Sequence, residues 1–187
     1  MPLRRGLVQV YAGEGKGKTS AALGLALRAA GHGLRVCFIQ FIKGDVDSGE
    51  RKAARRLAPE LEIHFFACAQ WGDASNAPPG TPWWKLPPSD DDRARVQEGM
   101  AFARQALTNG DYDVVVLDEL FSALEYELVA IEQVMDLICA RPPQVELVLT
   151  GRQAPEEVIA AADLVTEMRA VKHPYHRGVR ARKGIEY

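Results

Sequence analysis

The residues best suited to chemistry lie close together near the start of the chain: Gly13-Glu14-Gly15-Lys16-Gly17-Lys18-Thr19-Ser20. Glycines at alternate positions let a backbone curl tightly enough to turn several N–H groups toward one anion. Lys18 adds a cation at the end of the curl. Thr19 adds a hydroxyl oxygen of the kind that ligates a hard divalent cation. The segment is built to grip a chain of phosphates, with Lys18 against the distal ones. Lys16 either adds charge to that grip or is a solvated loop lysine.

Two other places carry chemistry-bearing residues directly after an apolar run. Asp118-Glu119 closes Val114-Val115-Val116-Leu117, where carboxylates can offset a bound magnesium ion and hold its water shell. Thr150-Gly151-Arg152 closes Val145 to Leu149. Arg152 is thus a candidate contact for the phosphates, with a surface or partner salt bridge as the alternative.

The elements that must position these residues are legible around them. Leu7 to Tyr11 reads as a strand, and Thr19 to Ala30 as a proline-free helix with Ala22, Leu23, Ala26 and Leu27 on one face. Gly31 suits the C-terminal cap. A strand, a glycine turn and a helix together aim the positive end of the helix dipole at an anion. The common spacing G-x4-G-K-[ST] would put its first glycine at position 12, but Ala12 stands there and Gly13 comes one residue later.

Further strands are expected at Arg35 to Phe41, Leu61 to Phe66, Tyr112 to Leu117, Val145 to Leu149 and Leu164 to Met168. Helices are expected at Glu50 to Leu57, from the Ser89 cap to about Leu107, around Ile131 to Cys139, and at about Pro155 to Ala162. The aspartates after Ser89 serve the helix start rather than a metal. This alternation predicts an α/β fold of three layers, a mostly parallel central sheet covered on both faces. We expect a single domain over residues 1–187, with a Trp/Pro-rich insertion at about 67–88. That insertion holds Trp71, Trp83 and Trp84, all the tryptophans in the chain. It suits either a cover over a flat apolar ligand or a pin to the body or a partner chain.

Bulk properties exclude several classes. The chain has 187 residues, 47% hydrophobic and 26% charged, and a net charge of −2. Such a balance gives no general attraction to nucleic acid or anionic membranes. No apolar run approaches the roughly 18 residues of a membrane span. Cys37, Cys68 and Cys139 form neither a disulfide framework nor a zinc site, and a reducing, cytoplasmic setting is expected. His173 and His176 have metal-like spacing, but Pro174 breaks the helix that would use it. The basic tail from Arg169 to Lys183 reads as a solvated face, with an anion contact as the alternative. On these residues alone, a RecA-like ATPase or kinase and a nucleotide-dependent interaction module both stay open.

The stretches GEGKGKTSAALGLALRAAGHGLRV, IQFIKG, VVVLDEL, ARPP, LVLTGRQAP, ADLVTEM and VKHPYHRGVRARKGIEY, in this order, resemble the P-loop corrinoid adenosyltransferases. The shortened turn after Ala12 is that family's own form. The resemblance implies a P-loop NTPase fold of the RecA-like type. It also implies a reaction in which a reduced Co(I) corrinoid attacks the 5′ carbon of ATP and triphosphate departs. It further implies Mg²⁺ (or Mn²⁺) organised by Thr19 and Glu119 with Asp118 beside them, and ATP phosphates that run along the loop in the reverse sense to hydrolases. A homodimer and a flavoprotein reductant come with it. Family members often carry a helical extension before the first strand, whereas about five residues precede Gly6 here. The family's Phe-Thr-Trp-like corrin element is replaced by Gly80-Thr81-Pro82-Trp83-Trp84, in which Trp83 and Trp84 are the candidate corrin contacts.

Overall fold

The computed structural model describes residues 3–42, 48–66 and 86–185. Six strands make the sheet: β1 (Val8–Ala12), β2 (Val36–Gln40), β3 (Leu61–Phe65), β4 (Val114–Asp118), β5 (Glu146–Thr150) and β6 (Leu164–Glu167). Their order across the sheet is β3-β2-β4-β5-β1-β6, and every pairing is parallel. β2, β4 and β5 are buried at every position, which is why their sequences are continuous apolar runs rather than alternating ones. The edge strand β6 is exposed throughout.

Helices cover both faces: α1 (Lys18–Gly31), α2 (Gly49–Ala54), α3 (Asp90–Thr108), α4 (Leu120–Glu125), α5 (Ile131–Ala140) and α6 (Glu156–Ala161). One core layer joins Ala22, Ala26 and Ala29 of α1 to Phe38, Val116 and Val148 of the sheet. The opposite layer joins Val96, Met100, Ala103 and Leu107 of α3, with residues of α4 and α5, to Ile39, Leu117 and Leu149. The three-layer, mostly parallel architecture expected from the sequence is therefore present, with an all-parallel sheet.

Local differences have physical causes. The inner face of α1 is Lys18, Ala22, Ala26 and Ala29, while Leu27 is 56% exposed. Alanines let the helix axis approach the sheet, and the larger leucine is turned away. Gly31 is the last helical residue rather than the cap; the left-handed turn falls at Gly33, with φ 76°. α4 was not foreseen, since Leu120, Phe121, Ser122 and Ala123 are all buried and leave the segment little polar face to mark a helical period. At the start of α3 Ser89 and Asp92 bond reciprocally, Asp92 N–H to Ser89 Oγ at 3.2 Å and Ser89 N–H to Asp92 Oδ2 at 2.8 Å. The capping role read for the aspartate run is met. Cys37 lies in the core, where burial pushes its thiol up to about 12.

The strand order brings the functional segments together. β5 lies between β4 and β1, so the carboxyl ends of β1, β4 and β5 open side by side onto one end of the sheet. Ligands of parallel α/β sheets bind at such an end, where connections leave in opposite directions. Here the chain leaves β1 for β2 on one side and reaches β6 on the other.

Candidate active site

The loop between β1 and α1 starts one residue late because Ala12 still belongs to the strand, its carbonyl accepting the Met168 N–H at 2.8 Å. Gly13 then turns with φ 108° and Gly17 with φ 124°, a region that favours glycine. The loop is pressed onto the chain that follows β6. A Cβ added at Gly15 would come within 2.6 Å of the Met168 carbonyl oxygen.

The expected amide cradle needs one correction. Gly13 N–H donates to the Arg152 carbonyl at 2.7 Å, and Gly15 N–H to the Met168 carbonyl at 2.6 Å. These two groups hold the loop to the body instead of facing an anion. The first helical bond of α1 is Ala21 N–H to Gly17 O, so the N–H groups of Lys18, Thr19 and Ser20 belong to the helix's first turn, which has no acceptor within the helix. Glu14, Lys16 and Ser20 are exposed at the rim.

Lys18 lies on the inner face of the helix, and its ammonium group folds back over the loop. Nζ donates to Gly13 O at 2.6 Å and to Gly15 O at 3.0 Å. Burial pulls its pKa below 10.5, Glu119 pulls it back up, and Arg152 adds to the depression. Arg152 therefore stands near enough for its charge to be felt at Lys18, and its carbonyl anchors Gly13. Its side chain is exposed.

Asp118 is the hub of the site and fully buried. Thr19 Oγ1 donates to its Oδ1 at 2.9 Å, Thr150 Oγ1 donates to the same oxygen at 2.7 Å, and Gln40 Nε2 donates to Oδ2 at 2.9 Å. A carboxylate so engaged orients Thr19 more than it offers itself to a metal. Next to it, Glu119 has φ 59° and ψ 25°, the left-handed conformation, which strains a non-glycine residue by roughly 1–2 kcal/mol. Its N–H donates to Thr150 Oγ1 at 2.9 Å, and its Oε2 accepts from Ser122 Oγ at 2.6 Å. A non-glycine residue is held in such a conformation where the surroundings fix it, commonly at a functional site.

Gln40, Ser122 and Thr150 were absent from the sequence-derived set. Gln40 and Asp118 are direct partners in the β2–β4 register, and Leu117 pairs with Leu149, so Gln40, Asp118 and Thr150 are the level last residues of three neighbouring strands. Their side chains share the face on which α1 packs, which is how Thr19 reaches them. A polar residue ending each apolar run was the available signal. His173, by contrast, accepts the Tyr175 N–H at its own Nδ1, and Pro174–Arg177 form a 3₁₀ turn. Trp71, Trp83 and Trp84 lie outside the described residues.

A glycine turn, its lysine, a threonine and a buried aspartate thus meet at one end of a parallel sheet, and that geometry alone does not say what chemistry is done there. The family profile described as "ATP:corrinoid adenosyltransferase BtuR/CobO/CobP" matches residues 4–187. The chain belongs to this family. A corrinoid adenosyltransferase of Pseudomonas aeruginosa is 38% identical over 98% of this chain and 84% of its own length. One of Escherichia coli is 36% identical over 98% and 86%, and corrinoid adenosyltransferase CobA of Salmonella typhimurium 34% over the same shares. Membership gives the enzyme class read from the sequence.

Among solved structures, the flagellar accessory protein FlaH of Methanocaldococcus jannaschii aligns with a TM-score of 0.54 at 10% identity, over 89% of this chain and 72% of that one. The KaiC-like protein PH0186 of Pyrococcus horikoshii aligns at 0.52 and 16% identity, over 87% and 73%. At such identities the likeness concerns the fold alone. It agrees with the three-layer α/β fold expected.

Proposed function

We propose that this corrinoid adenosyltransferase moves the 5′-deoxyadenosyl group of ATP to the Co(I) of a corrinoid substrate at the loop described above, releasing triphosphate. The observation that carries the placement is the cluster of Lys18, Thr19 and Asp118 at the carboxyl end of the sheet, with Lys18 Nζ poised over the loop at 2.6 Å from Gly13 O. The cobalt lone pair forms the Co–C5′ bond while the C5′–O bond breaks, and its electron pair leaves on triphosphate. Cobalt passes formally from Co(I) to Co(III). The attacker brings its own electron pair, so the protein needs no general base.

The protein's task is to stabilise charge that grows on the leaving group. Lys18 exchanges its two carbonyl partners for phosphate oxygens, and the first-turn N–H groups of α1 add the helix dipole. Arg152 supplies a second cation at the rim. The donor set also fits Mg²⁺ or Mn²⁺: Thr19 Oγ1 and the Glu119 carboxylate are hard oxygen ligands, and Asp118 adds charge behind them. Such a cation would neutralise the departing polyanion as a Lewis acid. Asp118 then acts as a support that aims Thr19, and Glu119 as the nearer carboxylate. Trp83 and Trp84 remain our candidates for the corrin face. A homodimer, a cytoplasmic setting and a flavoprotein reductant complete this reading on the strength of the family alone.

Lys18→Ala tests the placement. Under anaerobic conditions with ATP, Mg²⁺ and chemically reduced corrinoid, the variant is expected to form no light-sensitive adenosylcorrinoid while keeping the circular dichroism of the folded protein. Unchanged rates would remove the loop from the reaction.

A further inference from the structure

We infer that Thr150 is a positioning residue for the proposed metal site, fixing through one hydroxyl both Asp118, which aims Thr19, and Glu119. Its Oγ1 works in both directions. It donates to Asp118 Oδ1 at 2.7 Å and accepts the Glu119 N–H at 2.9 Å. The first bond completes the ring of donors that holds the Asp118 carboxylate toward Thr19. The second pins the backbone of Glu119 in its left-handed turn, and so sets the direction in which that side chain leaves the strand.

Thr150 is also continuous with the phosphate loop. It is fully buried, it lies level with Tyr11 of β1 in the sheet, and two residues later the Arg152 carbonyl accepts the Gly13 N–H at 2.7 Å. One short turn thus joins the carboxylate end of β4 to the glycine end of β1. Because the hydroxyl is both donor and acceptor, neither an isosteric methyl nor a residue with one function alone can replace it. Burial keeps water from taking over the lost bonds.

This inference rests on the metal-bound nucleotide reading above, and its test separates the two. ATP binding to the full chain is measured calorimetrically in Mg²⁺ and in chelator, for the wild type and for Thr150→Val, Thr150→Ser and Thr19→Ala. Binding of Mn²⁺-ATP is followed in parallel by the electron paramagnetic resonance signal of free Mn²⁺. Thr150→Val is expected to lose about ten- to hundredfold of the affinity gained from the metal, the usual effect of removing a group that orients metal ligands. Its affinity in chelator should be unchanged, and Thr150→Ser, which keeps the hydroxyl, should bind as the wild type does. Thr150→Val with the wild-type metal dependence, while Thr19→Ala loses it, would overturn the role of Thr150 and leave the metal reading standing. If both variants keep the wild-type dependence, the metal reading itself fails and this inference with it. Equal losses in Mg²⁺ and in chelator, for Thr150→Val and Thr150→Ser alike, would show a purely structural residue and also overturn the role.

Discussion

Thr19 and Asp118 are 99 positions apart in the chain, yet the hydroxyl of the first meets the carboxylate of the second at 2.9 Å. The contact joins the first turn of the helix behind the phosphate loop to the end of a central strand. It exists because β5 spaces β1 from β4, leaving α1 to lie across the gap.

Asp118 accepts from three side chains, so Asp118→Asn would turn an amide N–H₂ toward a group that also donates. At least one buried donor would then be left without an acceptor, which costs about 1–3 kcal/mol. Urea unfolding should show a lowered midpoint at an unchanged slope. A wild-type midpoint would contradict the hub.

Ser122→Ala removes the hydroxyl that holds Glu119 Oε2 at 2.6 Å. A hydrogen bond to a charged group contributes about 1.5–3 kcal/mol. If that strength is expressed in the transition state, the alkylation rate falls about ten- to hundredfold. The drop is expected in kcat more than in the KM for ATP. An unchanged kcat would show that the orientation of Glu119 does not matter.

Two glycines of the same region should respond oppositely to alanine. At Gly15 the new Cβ would lie 2.6 Å from a backbone oxygen, which cannot yield as a flexible side chain does. Gly15→Ala should lower both ATP affinity and melting temperature. Gly24 sits inside α1 with nothing within 4 Å, and Gly24→Ala should stabilise by about 0.5–1 kcal/mol. Thermal melts of the two variants decide it, and shifts of the same sign would contradict the packing described.

Lys18 sets a dependence on alkaline pH. Its folded pKa lies below the unfolded 10.5, mainly through burial. Between the two values the unfolded chain binds more protons, so stability rises with pH across that window as the cost of the buried charge is relieved. A polyanion seated on the loop favours the charged form again, and ATP binding within the window should take up a proton. Calorimetry in two buffers of different ionisation enthalpy would reveal the uptake. Its absence would contradict contact between Lys18 and the phosphates.

Much of this was legible in the chain itself. Strands buried on both faces must be apolar throughout, so Val114 to Leu117 and Val145 to Leu149 stood out, and with them the residues that follow. The glycine turn was visible for the same local reason. The roles of Gln40 and Thr150 were hidden because they arise from register: three strands far apart in sequence must align before their last residues can meet. The engagement of Gly13 and Gly15 was equally invisible, since it depends on Met168 and Arg152 arriving from the other end of the chain. Leu27 misled because hydrophobicity alone does not tell an alanine-lined approach from a leucine-lined one.

The central claim is that the loop holds a departing triphosphate rather than a phosphate to be cleaved. Phosphorus NMR of a complete anaerobic turnover, with ATP, Mg²⁺ and an excess of reduced corrinoid, tests it most directly. Intact triphosphate is expected in equal amount to the adenosylcorrinoid formed. ADP and orthophosphate, with no new cobalt–carbon bond, would contradict it.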